Sequence, residues 1–245
     1  MDQIYLPKNR AGLPTGEYVI IRPLQESPQE ELKPFFYNVE DLEPIKVEII
    51  KKIFNKLNEL EPENLIVGGS FLDKGFRFND IDILLINDRL QSNVKDRVEY
   101  LQMSLGIKIH LIQISNKELM KCLSSDPLYN MMLSKFISLK RVIFHVRREI
   151  NYKILDLQLL KSKTLIDNYE ILNGEEKYYL SLNMISILLF LNDKKLSKDI
   201  VNKEIEKIFK IKIKEIKDNM IDKDFLKKFK EVYNFTFNKI LNGIK

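Results

Sequence analysis

Cysteine and histidine are nearly missing from this 245-residue chain, which has one cysteine, Cys122, and two histidines, His110 and His145. A single cysteine excludes an internal disulfide and any cysteine-rich zinc site, and two histidines exclude a histidine-cluster metal centre. Cys122 reads as a packing residue. No apolar run approaches the eighteen or so residues that a bilayer-spanning helix needs. The opening residues Met1-Asp2-Gln3-Ile4-Tyr5 lack the basic and apolar regions of a secretory signal, so a cytoplasmic location with no membrane partner is expected. Internal repeats are absent, and so is low-complexity sequence beyond a lysine bias late in the chain. Arginine is absent from residues 151–245, which hold 19 lysines against 14 acids, whereas residues 1–150 hold 21 basic and 21 acidic residues. The whole net charge of +5 therefore lies in the C-terminal part. That shift predicts a domain boundary near residue 150, and the excess lysines suit either an anionic partner or a solvated helix surface.

What is present divides into three segments. Residues 1–43 are punctuated by Pro7, Pro14, Pro23, Pro28 and Pro34, and only Tyr18-Val19-Ile20-Ile21 reads as a strand; this arm is expected to pack on the core. Residues 44–149 open with helical spacing through Ile45, Ile49, Ile50, Ile53, Phe54, Leu57 and Leu60, with Pro44 suited to the first turn. A second helix is predicted over 92–105, with Ser92 as candidate N-cap and Gly106 as the stop. Residues 116–140 read as helices broken at Asp126-Pro127, with Met131 and Met132 as core fillers, and Val142–Val146 reads as a last strand before Arg147-Arg148. From residue 150 the pattern is helical, with a nearly continuous apolar helix from Tyr178 to Leu191 and lysine-rich amphipathic stretches over about 200–217 and 222–242. Helices with short breaks at Asn173-Gly174 and Asn192-Asp193 imply a bundle with the apolar helix at its centre.

The chemistry concentrates in residues 65–86. Leu65-Ile66-Val67 reads as a buried strand, Gly68-Gly69-Ser70 as a turn, and Asp80-Ile81-Asp82 opens a second apolar strand ending Ile83-Leu84-Leu85-Ile86. Alternation on a strand points Asp80 and Asp82 to the same face, roughly 7 Å apart along the backbone. A carboxylate pair on a rigid strand suits Mg²⁺, which often takes only one or two protein carboxylates together with substrate phosphates. Gly68 and Gly69 let the backbone approach a phosphate, and Ser70 adds a hydroxyl beside the exposed amides. A plain turn and a solvated strand face would explain each half alone. The coincidence of strand, glycine pair, spacing and acids entering an apolar run points to a phosphate seat facing a metal seat.

On these residues the chain resembles the DNA polymerase β-like nucleotidyltransferase superfamily, whose signature is a hydrophobic residue, Gly-Gly/Ser, and an Asp-x-Asp about nine to thirteen residues on. The fuller run Gly68-Gly69-Ser70 to Arg77-Phe78-Asn79-Asp80-Ile81-Asp82 looks most like the AbiEii-type toxin branch and the lincosamide and aminoglycoside nucleotidyltransferases, which carry an arginine just before the Asp-x-Asp. The resemblance implies a mixed-sheet nucleotidyltransferase domain, and with the helical pattern after residue 150 the expected class is α+β, that domain followed by an all-α helical bundle domain. It implies transfer of a nucleoside monophosphate from a nucleoside triphosphate to a hydroxyl of RNA such as tRNA, of protein or of a small molecule. Asp80 and Asp82 would hold one or two Mg²⁺, Gly68, Gly69 and Ser70 would seat phosphates, and Arg77 would contact phosphate or brace the loop. Lys135, on a helix downstream, matches the place of a functional lysine that could neutralise the triphosphate.

One departure stands out. The strand Ile107–Ile114 occupies the place of the family's third carboxylate but carries no acid; Lys108 and His110 share one face there. His110 is open to three readings: a catalytic substitute, since neutral imidazole accepts protons near pH 7, a structural histidine, or the mark of a lapsed enzyme. Two rival functions follow, a catalytically lapsed nucleic-acid-binding module gripping RNA with its basic helical domain, and an interaction protein of a toxin–antitoxin kind with one protein partner.

Overall fold

The computed structural model describes residues 32–89, 93–144 and 146–244. The strand expected at Tyr18–Ile21 and the candidate cap Ser92 lie outside the described residues. The apolar runs in Asn64–Gly68 and Asp80–Ile86 form strands β2 and β3 once β1, Phe35–Tyr37, is counted first. Lys108–Ile114 forms β4 and Phe136–Ser138 forms β5, giving a five-stranded sheet of order β1-β5-β2-β3-β4. The sheet is mixed, since β3 and β4 run parallel while the other pairs run antiparallel. The fold is therefore α+β.

Strand alternation decides which helices cover which face. Leu65 and Val67 of β2 and Ile81, Ile83 and Leu85 of β3 point to a first face, covered by α1, Pro44–Asn58, and α2, Val94–Leu105. The αL residue Gly106, with φ of 65°, ends α2, and the chain enters β4 two residues later. Ile66, Leu84, Ile86 and Ile114 point to the second face, against α3, Asn116–Ser125, and residues around α4, Pro127–Met132. The break between these two helices is set as expected: Asp126 accepts a hydrogen bond from Leu128 N at 2.8 Å, and Pro127 opens α4.

Two expectations for residues 116–146 require correction. The strand lies at Phe136–Ser138, and among the described residues Val142, Ile143, Phe144 and Val146 are not in the sheet. Both edges of β5 are taken, by β1 and β2, so the later run finds no free ladder beside it. Val142 N instead donates to the Tyr37 hydroxyl at 2.7 Å, and Val142, Phe144 and Val146 pack on the second face while Ile143 stays exposed. Lys135 consequently sits in the bend between α4 and β5 and not on a helix.

Beyond residue 150 the described residues are helical: α5, Tyr152–Asp167, α6, Gly174–Leu191, α7, Lys198–Phe209, α8, Ile213–Lys217, and α9, Lys223–Ile244. The stretch expected as one helix over about 200–217 is split at Lys210, which takes the left-handed conformation at φ of 56°. Helix α6 is buried along most of its length, as its lack of a polar face requires. Asn173 caps it, accepting from Glu176 N at 2.9 Å while Glu176 Oε2 accepts from Asn173 N at 2.8 Å. Arg148 joins the sheet region to the end of α6: it donates to Asp193 Oδ1 at 2.7 Å and to the Lys194 carbonyl at 3.0 Å, and it stacks over Phe190. Arg148 is thus spent on structure, while Arg147 is exposed.

Candidate functional site

The register of three strands assembles the face. Gly68 on β2 is opposite Asp82 on β3, Asp82 is opposite His110 on β4, and Asp80 is opposite Lys108. Gly68, Asp80, Asp82 and His110 share the parity of Ile66, Leu84 and Ile114, so all stand on the second face, at the end of the strands. Asp80 and Asp82 are half-buried, where the residues that follow them in β3 are buried. Asp82 Oδ1 lies 3.1 Å from His110 Nδ1, and the side chains are 33% and 59% exposed, so the pair is reachable from solvent.

Gly69 fixes the other side of Asp82. Its φ of 77° belongs to the left-handed region, and a Cβ built there would overlap Asp82 Oδ2. The carboxylate therefore sits directly against the turn. Gly68 has ordinary room, with Met132 Cγ 3.5 Å from a built Cβ. Ser70 begins a 3-10 turn, Ser70–Leu72, closed by Asp73 N donating to Ser70 O at 3.0 Å.

The loop after the turn is fastened by groups that sequence reasoning passed over. Lys46 of α1 is fully buried, donates to the carbonyls of Asp73 and Gly75 at 2.6 Å each, and faces Glu43 Oε2 at 2.9 Å. Phe71, Phe76 and Phe78 place their rings 5.4–5.6 Å from its ammonium. Glu43 accepts from Gly75 N at 2.5 Å, and the hydrogen bonds from Lys46 and Gly75 hold its carboxyl down at about 2. Lys46, Ile50, Ile53 and Leu57 share helical spacing, so a lysine on the buried stripe was the available signal.

Lys135 meets this loop through Asp73. Its ammonium pairs with Asp73 Oδ1, and Lys198, first residue of α7, pairs with Asp73 Oδ2 at 2.9 Å. Burial works to raise the Asp73 carboxyl, but the hydrogen bonds and charges of Lys135 and Lys198 outweigh it and hold the group below its ordinary value. Burial likewise works to lower Lys198, and Asp73 outweighs it in the opposite direction. Neither Asp73 nor Lys198 carries a sequence signal: one lies in a loop, the other is one of 19 lysines after residue 150. Arg77 is exposed and makes no hydrogen bond or ion pair among the described residues.

Asp80, Asp82 and His110 share this strand face, but no group of three or more His, Cys, Asp or Glu side chains is placed to hold a metal among the described residues. Two carboxylate oxygen donors on an open strand face fit a hard cation that takes its remaining ligands from water and phosphate. Two clefts lie elsewhere: one of about 410 Å³ between Ser124, Asn151 and Gly243, and one of about 310 Å³ beside Asn64 and Lys140. Neither includes Asp80, Asp82 or His110 in its lining. No family model, curated protein or solved structure matches the chain. No helix among the described residues is long and apolar enough to cross a membrane.

Proposed function

We propose that the chain is a metal-dependent nucleotidyltransferase, with a mixed-sheet catalytic region followed by a helical bundle. The observation that carries this reading is the register that places the Gly68-Gly69 turn, Asp82 and His110 side by side on one face, with no room for a side chain on Gly69. An acceptor hydroxyl attacks the α-phosphate of a nucleoside triphosphate, and pyrophosphate leaves. Asp80 and Asp82 would hold Mg²⁺, which when bound stabilises charge on the phosphoryl oxygens. Gly68 and Gly69 admit the phosphates close to the backbone, Ser70 offers its hydroxyl, and Lys135 and Arg77 supply positive charge. With Nδ1 of His110 donating to Asp82, Nε2 is left to take the proton of the acceptor hydroxyl. Incubation with each labelled triphosphate, Mg²⁺ and pools of tRNA, protein and small hydroxyl compounds tests this. Transfer dependent on Asp82 is the expected result, and no transfer to any pool would contradict it.

A second reading is favoured by the imidazole that stands where the resembled family has a carboxylate. In it the chain keeps the fold without turnover and binds RNA through its lysine-rich helices, or binds a protein partner. Salt-sensitive RNA binding, or co-purification of one stoichiometric partner, together with an inactive wild type would establish that reading.

A further inference from the structure

Asp73 is gripped from three sides in two different ways. Its backbone is fixed, with the carbonyl accepting from buried Lys46 at 2.6 Å and the N–H closing the Ser70 turn at 3.0 Å. Its side chain is not part of that framework. The carboxylate reaches away to bridge Lys135, from the bend before β5, and Lys198, from the start of α7. All three side chains are accessible, 37% for Asp73, 33% for Lys135 and 46% for Lys198, so an anion from solvent can reach the ammonium groups.

Two ammonium groups share one carboxylate, with Asp199 adding a weaker electrostatic contribution at Lys198. A group bearing two or more negative charges offers more acceptor oxygens for their donors. The carboxylate can leave by side-chain rotation alone, because Lys46 and Ser70 keep the backbone in place.

We infer that Lys135 and Lys198 form a polyphosphate site that Asp73 fills in the absence of ligand, and that the Asp73 carboxylate is displaced when a polyphosphate group binds. The site adjoins the turn that begins at Ser70, which the Asp73 N–H closes. Asp73 acts as an internal competitor, and Lys198 makes the start of α7 part of the ligand site. The identification of the polyphosphate as that of a nucleotide rests on the nucleotidyltransferase reading; the binding site does not.

Calorimetric titration of inorganic tripolyphosphate into the full chain, without divalent metal, tests it. Asp73→Asn removes the competing charge and should tighten binding about five- to tenfold, while Lys198→Gln should weaken it by a similar factor. The gain from Asp73→Asn should vanish in the double variant with Lys198→Gln. Binding by Asp73→Asn no tighter than wild type, or a gain that persists without Lys198, overturns the inference. Should Asp73→Asn fail to fold by circular dichroism, Lys198→Gln decides alone, and unchanged affinity overturns it. Since neither metal nor acceptor is present, failure here leaves the Asp80–Asp82 reading intact, and failure of nucleotide transfer leaves this result intact.

Discussion

Asp82 and Asn183 are both polar residues inside apolar runs, one in β3 and one in α6, and their surroundings differ. Asn183 is 1% exposed, and its amide donates to the Gln158 carbonyl at 2.8 Å and to Ser162 Oγ at 2.9 Å. Ser162 in turn donates to the Leu180 carbonyl at 3.0 Å. These hydrogen bonds link α5 to α6, and the group has no access to solvent. Asp82 is a third exposed, fixed by a glycine on one side and an imidazole on the other, and open on the strand face. The helical region uses polar groups to join helices inside an apolar core. The strand face instead holds charged groups beside one another at the surface, an arrangement that adds little stability and suits ligand binding.

Substitutions should separate the two regions. Asp80→Asn or Asp82→Asn should lower nucleotide transfer by about 10³-fold or more while leaving the thermal midpoint nearly unchanged. Near-normal turnover in both variants would end the metal-pair mechanism. Phe190→Ala, in the fully buried helical core, should do the reverse: a loss of about 3–5 kcal/mol in stability by denaturant titration, with transfer per folded molecule retained.

A sharper division lies within the strand face. His110→Ala should cost about 10²- to 10⁴-fold in rate. His110→Asp should preserve or raise activity by adding a carboxylate donor. An unchanged rate in His110→Ala would make the histidine structural.

The smallest effect concerns the loop clamp. Glu43 has its folded carboxyl at about 2, below the ordinary 4.5, so its contribution is complete above 4.5 and lost as pH falls through 2. Glu43→Gln should therefore be less stable than wild type at neutral pH, and the difference should shrink as the medium is acidified toward about pH 2. Urea titrations across that range would show it; a difference independent of pH would assign the loss to packing.

Much of this arrangement was legible in the sequence because its period matched its environment. Strands β2, β3 and β4 show alternation or continuous apolarity, and α6 shows a nearly continuous apolar run, so each announced both its type and its burial. Strand β5 did not. Three residues buried on both sides between neighbours, next to a lysine, leave no period to read, whereas the apolar run Val142-Ile143-Phe144 reads as a strand and lies outside the sheet. Gly69, Asp82 and His110 could be named from motif and parity, but the contact of Asp82 with both needed the register. The meeting of Asp73 with Lys135 and Lys198 joins positions 62 and 125 residues apart, and nothing local to any of them signals it.

The central claim is that one open face, where β2, β3 and β4 meet, holds metal and nucleotide together. Amide line broadening by Mn²⁺ with a non-hydrolysable nucleoside triphosphate, followed by NMR on the labelled chain, tests it without knowledge of the acceptor. The expected result is broadening centred on Gly68, Gly69, Asp80, Asp82 and His110, absent in Asp82→Asn, with α9 unaffected. Broadening centred elsewhere, or unchanged in Asp82→Asn, would contradict the claim.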